Sequence, residues 1–134
     1  MTSLDSTPKH MDLVFDVGMH KGEDSELYLK KGFRVVGFEA DPDLAAFCRS
    51  KFKKEVESGK LIIVEGAVVP DAQLAIGTEK IKFYKNLNNS VWGTVCEEWA
   101  QRNERSNTQS IVVEVVPINF FACLKKFGVP HYMK

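Results

Sequence analysis

The chain carries no excess of either charge: eighteen Lys and Arg stand against eighteen Asp and Glu in 134 residues. A global field that would draw it to nucleic acid or to an anionic membrane is therefore unsupported, and neither is expected as a partner. Cysteine is scarce and odd in number. Cys48, Cys96 and Cys123 lie far apart, with no CxxC or Cys/His spacing, so neither a metal site nor a disulfide framework is expected. No apolar run approaches the ~20 residues of a membrane-spanning helix. The opening MTSLDSTPKH is polar and lacks the apolar stretch of a signal peptide. Residues 1–10 read as a disordered leader, and the cytoplasm is the expected compartment.

What is present suits one soluble domain over residues 11–134. Apolar residues make up 44% and charged residues 27%, an ordinary globular balance, and a chain of this length buries roughly two-thirds of its unfolded surface. MDLVFDV (11–17), FRVVGFEA (33–40) and KLIIVEGAVV (60–69) are short apolar runs beside glycine, as strands buried on both faces would be. Between them EDSELYLKK (23–31) predicts a short helix with acids in the first turn and lysines in the last. Residues 41–59 predict a longer helix, with Asp41 as N-cap, Pro42 at the first helical position and Gly59 as the stop. Leu44, Phe47, Cys48, Phe52 and Val56 are expected on its core face. Strand, helix, strand, helix, strand predicts right-handed crossovers, hence an α/β fold with a parallel sheet.

Past Pro70 the pattern is looser. KIKFYKN (80–86) alternates as a strand, and TVCEEWAQRN (94–103) suits a short helix with Val95 and Trp99 on one side. SIVVEVVPI (110–118) predicts a strand, NFFACLKKFG (119–128) a helix ended by Gly128, and VPHYMK the start of one more strand.

Candidate chemistry begins in FDVGMHKGED (15–24). A strand ending in Asp16, followed by Gly18, Gly22 and a helix, places a tight turn at the carboxyl edge of a parallel sheet, where α/β folds bind ligands. Alone, such a turn is weak grounds, because strand-to-helix turns often need glycine for packing. Glu39 strengthens it: it falls at the tip of the next strand, 23 positions after Asp16, where a carboxylate can accept hydrogen bonds from ribose hydroxyls. Gly66 and Ala67, at the third strand's end, leave room for a flat base.

The sign of charge then selects among nucleotides. A phosphate at the helix start would meet Glu23, Asp24 and Glu26, and each such pairing a few ångströms apart costs on the order of 1 kcal/mol in water. His20 stands where GxGxxG would have its second glycine, and Lys21 precedes Gly22, so no GxxxxGK[ST] loop forms. A nucleoside with a cationic end suits the turn better, with Asp16 and the acidic first turn facing that end. S-adenosyl-L-methionine is such a molecule. Compensation of the helix dipole accounts for the same acids, and both can hold.

DVGMHKGED, VVGFEADPD, EGAV and VEVVPINFFACLKKFGVPHYMK together resemble the FkbM-type methyltransferases, from about residue 12 to the C-terminus. The resemblance implies a Rossmann-like parallel sheet with helices on both faces, S-adenosyl-L-methionine as cofactor, and methyl transfer to a small-molecule acceptor, commonly a hydroxyl of a sugar or secondary metabolite. Carried over by position, Asp16, Gly18 and Gly22 form the first cofactor motif, Glu39 binds the ribose, Ala40 or Asp41 lines the adenosine pocket, and Ala67 sits near the base. His20 belongs to the same cofactor-binding turn, at a position variable in the family. In the family the segment resembling PHYMK continues into an acidic-x-acidic-Gly strand. Here Lys134 is the last residue, so the chain reads as the N-terminal portion of such a domain. The sheet edge left open would suit a homo-oligomer.

No catalytic residue is assigned. A hydroxyl acceptor needs a base within reach, and His20 and His131 are candidates by type, each with an ordinary surface or packing role as the competing explanation. NLNNSVWGT (86–94), with Trp92, would serve as an acceptor wall or as an ordinary turn. An NAD-type oxidoreductase and a non-catalytic nucleoside-binding module remain the rival functions.

Overall fold

The computed structural model describes residues 9–69, 80–87, 93, 95–97, 100, 101 and 110–134. Four parallel strands form the main sheet in the order β3-β2-β1-β8: β1 (Lys9–Val17), β2 (Arg34–Glu39), β3 (Leu61–Glu65) and β8 (Val129–Met133). β1 is central. Phe15 is aligned with Val36 of β2 and with Met133 of β8. The first strand begins at Lys9 rather than at residue 11, because β8 extends its ladder to the Lys9–Val129 pair.

Both faces of the sheet are covered. On one, Val35 and Leu61 pack with Cys48 and Phe52, against Tyr28 and Leu29 of α1 (Glu23–Lys30). On the other, Leu13, Phe15, Val36 and Phe38 receive Phe120, Leu124 and Phe127 of α4 (Phe120–Phe127). Residues one apart on a strand point to opposite faces, which is why Val35 and Val36 serve different layers.

The expected helix over 41–59 divides into α2 (Pro42–Lys51) and α3 (Lys53–Glu57). Phe52, at φ −109° and ψ 34°, leaves the helical region and is buried in the sheet-facing layer. The core stripe also differs from expectation. Leu44, Ala45, Cys48 and Phe52 are buried, whereas Phe47 is 47% and Val56 37% exposed. Burial of Ala45, one position after Leu44, turns the stripe away from Phe47, and the break at Phe52 removes Val56 from it.

Two expected strands are broken as well. Residues 60–69 form β3 and then β4 (Ala67–Val69), and residues 110–118 form β6 (Ser110–Val115) and then β7 (Pro117–Asn119). The breaks touch. Gly66 has φ +149°, a Cβ there would lie 2.4 Å from the Val116 carbonyl oxygen, and that oxygen accepts the Ala67 N–H at 2.9 Å. Glycine at 66 therefore lets the chain leave the main sheet, and β4 pairs in parallel with β7. β5 (Ile81–Asn86) pairs antiparallel with β6. Trp92, Trp99 and residues 102–109 lie outside the described residues.

Candidate functional site

A cavity of about 260 Å³ opens at the carboxyl ends of β1 and β2, just under the usual range of small-molecule sites, about 300–1,000 Å³. Gly18 and His20 reach it from the β1–α1 turn, Glu39 and Ala40 from the end of β2, and Ala67 from the start of β4. Five of the eight sequence-derived positions thus meet around one space. Asp16, Gly22 and Asp41 stand behind it and are not part of its wall.

The turn is built by left-handed backbone. Gly18 (φ +76°), His20 (φ +54°) and Gly22 (φ +81°) all occupy that region, the last as N-cap of α1. A Cβ at Gly18 would meet nothing within 4 Å, so glycine serves conformation there; at Gly22 it would lie 2.3 Å from the Phe52 ring. His20 is costly in this region for a residue with a side chain. It is held from two sides: its N–H donates to Glu39 Oε1 at 2.8 Å, and its carbonyl accepts the Cys48 thiol at 3.1 Å. Burial pushes that thiol up to about 11, so it stays protonated and remains a donor.

Four amides of this turn bond within the protein. Gly18 and Met19 both donate to the Phe38 carbonyl, at 2.8 and 3.0 Å, and Gly22 donates to the Met19 carbonyl at 2.8 Å. With His20 committed to Glu39, four N–H groups of the glycine turn are already bonded within the protein and do not form the array that phosphate-cradling loops present.

Glu39 is 7% exposed, and each of its oxygens accepts one backbone N–H. Oε1 takes His20 and Oε2 takes Asp41, the latter at 2.9 Å. Burial pushes its carboxyl above the ordinary range, while these two bonds act the other way. Asp16 is fully buried. Its Oδ2 accepts the Ser25 hydroxyl at 2.7 Å, and Oδ1 has no partner among the described residues. Burial raises its pKa, against the Ser25 bond. Asp41 caps α2 by accepting the Asp43 N–H at 2.9 Å and pairs with Lys85 Nζ at 3.3 Å.

The acids of the first turn of α1 do not ring the cavity, contrary to the expectation that they face a bound cation. Glu26 pairs with Lys30 and Lys51 at 3.4 and 3.3 Å, Asp24 with Lys134, and Glu23 lies 3.4 Å from His20 Nδ1. Ser25 of the same turn faces inward to Asp16, while lysines of α1, α2 and the C-terminal end reach Glu26 and Asp24 on the outside. Glu23 alone touches a cavity residue, His20.

The two candidate bases separate. His20 lines the cavity, whereas His131, on β8, is exposed and stacks on Phe33 at 6.2 Å. In the expected acceptor loop, Asn86 ends β5 in a buried position and Gly93 lines the cavity. Residues 88–92, Trp92 included, lie outside the described residues. Phe83 of β5, with Gly93 and Val95, completes the wall. Phe83 was not singled out by motif, although its inward place follows from the alternation of KIKFYKN. Among the described residues no group of side chains could hold a metal ion, and no helix is long and apolar enough to cross a membrane.

No family model matches the chain, and no curated protein is significantly similar to it.

Proposed function

We propose that the chain is the cofactor-binding part of an S-adenosyl-L-methionine-dependent methyltransferase of the Rossmann-like, FkbM-type class, acting on a hydroxyl of a small-molecule acceptor. The observation that carries this reading is the polarity of the cavity. A buried carboxylate, Glu39, sits at the tip of β2, among the described residues no lysine or arginine lines the space, and the N–H groups of Gly18, Met19, His20 and Gly22 are committed within the protein. The parallel order β3-β2-β1-β8 is compatible with a doubly wound sheet, whose switch point is where such ligands bind.

The residues present fit the group. Each Glu39 oxygen accepts one N–H and keeps a lone pair for a ribose hydroxyl. Ala40 and Ala67 leave a flat space for a base, and the unpartnered, fully buried Asp16 Oδ1 supplies a negative field behind Gly18 that favours a cationic ligand. When bound, the cofactor supplies a methyl group already activated by positive sulfur. The chain's own work is to bind and orient, which supplies several kcal/mol through proximity. His20 is the cavity residue placed to take the acceptor's proton.

A nucleotide with a pyrophosphate would bring two charges to a cavity that, among the described residues, no lysine or arginine lines. That weighs against the NAD reading. Isothermal titration of the protein with S-adenosylhomocysteine and with NAD decides between them. Heat with the first and none with the second is expected; binding of NAD alone overturns the proposal. Binding of S-adenosylhomocysteine with no methyl transfer to any hydroxyl acceptor favours a non-catalytic module.

A further inference from the structure

One face of α2 meets the glycine turn in step with it. The Cys48 thiol donates to the His20 carbonyl at 3.1 Å, and Lys51 Nζ donates to the Lys21 carbonyl at 3.2 Å. Phe52, which caps the helix, sets its ring against Gly22, where a Cβ would lie 2.3 Å from Cε2. Three consecutive residues of the turn are thus engaged by side chains at three-four spacing, which places them on one side of a helix. Lys51 also pairs with Glu26 at 3.3 Å and so ties α1 to the same point.

The turn needs such a hold. His20, at φ +54°, is the only residue other than glycine with positive φ among the described residues. Glycine would take that conformation without steric cost, so the imidazole is kept at the cavity against a conformational penalty. Such a penalty persists only where the surroundings over-determine the backbone. Glu39 holds the N–H side of His20 at 2.8 Å, and α2 holds the carbonyl side.

We propose that Cys48 and Lys51 are positioning residues of the candidate site: they fasten the His20 and Lys21 carbonyls to α2 and so keep the left-handed turn, with the His20 side chain on it, where the cavity's ligand is met. The inference rests on the cofactor-binding reading above and deepens it, because part of the affinity then comes from a helix none of whose residues lines the cavity. Without the two donors the peptide units after residues 20 and 21 could rotate. His20 would then relax toward the right-handed region and swing its side chain out of place.

The test uses the whole chain, with S-adenosylhomocysteine as the probe in calorimetry and amide hydrogen exchange at residues 20–22 followed without ligand. Cys48→Ala removes one donor, Cys48→Ser keeps a hydroxyl donor, and Lys51→Met keeps an apolar stem without the ammonium. Leu61→Val thins the same apolar layer at a residue outside both the turn and α2. Cys48→Ala and Lys51→Met are expected to bind about threefold to tenfold more weakly, the size of a lost hydrogen bond, and to exchange faster at 20–22. Cys48→Ser and Leu61→Val bind as wild type does, the latter despite a lower melting temperature. In a His20→Gly background the loss on Cys48→Ala shrinks, because glycine keeps the left-handed turn unaided. Wild-type affinity in both Cys48→Ala and Lys51→Met overturns the proposal, and so does an equal loss in Leu61→Val, which would trace the effect to general loosening. Wild type that does not bind S-adenosylhomocysteine overturns the cofactor reading instead. Exchange at 20–22 then decides the hold on the turn: faster exchange in the two variants sustains it, and unaltered exchange overturns it.

Discussion

The carboxylate of Glu39 and the backbone of His20 are joined by a 2.8 Å hydrogen bond, although 19 residues separate them. The same carboxylate holds the Asp41 amide through its other oxygen. Glu39 therefore fastens two loops, one after β1 and one after β2, and its geometry is set before any ligand arrives. Preorganisation of this kind lowers the ordering cost of binding.

Substitution Glu39→Gln tests that double duty. The amide keeps one acceptor but sets an NH2 group against a backbone donor, so one of the two loops loses its partner. Affinity for S-adenosylhomocysteine is expected to fall by about 1–3 kcal/mol, with a lower melting temperature in the same samples. An unchanged affinity measured by calorimetry would remove Glu39 from the ribose role.

Asp16→Asn should move stability and binding in opposite directions. Burial raises the pKa of Asp16 above its ordinary 3.8, so the folded state takes up this proton at higher pH than the unfolded state does. Ionised Asp16 is thus unfavourable at neutral pH. The penalty is relieved as pH falls through the raised value, and it is gone below the ordinary one. The Asn variant is expected to melt a few degrees higher at pH 7, on the order of 1 kcal/mol for a domain of this size. Its advantage should shrink toward pH 4 in melts taken across that range. Cofactor affinity falls in the same variant, because the field favouring a cation is lost.

Two glycines with nearly equal φ separate backbone strain from crowding. Gly59 (φ +79°) has open space where a Cβ would stand, whereas Gly22 (φ +81°) faces the Phe52 ring. Gly59→Ala should cost about 1–2 kcal/mol, the penalty of the left-handed region alone. Gly22→Ala should cost that plus about 1–3 kcal/mol of overpacking. Urea melts of the two variants give the difference, and equal losses would show that the Phe52 ring yields freely.

Cys48 should resist alkylation in the native protein. Its thiol is fully buried, bonded to the His20 carbonyl and pushed up to about 11, so little thiolate exists at pH 8. Mass spectrometry after iodoacetamide treatment is expected to find Cys96 and Cys123 labelled first, and Cys48 only once urea opens the fold. Early labelling of Cys48 would mean that the turn opens readily.

The first half of the chain was largely legible because its signals are local. The apolar runs, the Asp41-Pro42 helix start and the glycines at 18 and 22 each act within a few residues, and β1, α1, β2 and the start of α2 fall within about two residues of their expected places. The breaks at Phe52, Gly66 and Val116 were not legible. Each depends on a contact distant in sequence: Phe52 with Gly22, and Gly66 with the Val116 carbonyl. The site divides the same way. Glu39 and Gly18 followed from motif spacing, while Phe83 reaches the cavity only through the β5–β6 pairing. The outward pairing of Glu26 with Lys51 also needed the third dimension, since spacing alone puts Glu26 with its neighbours in the first turn.

The place of β1 has a consequence for how the molecule assembles. The earliest strand is flanked on one side by β2 and on the other by β8, a neighbour translated only after every other described strand. Until it arrives, the central strand of the sheet has one raw margin, and closing that gap requires a long-range search. Such topologies fold slowly and expose sticky intermediates. Refolding should therefore be limited by the docking of β8, and chaperone demand should peak just before that event.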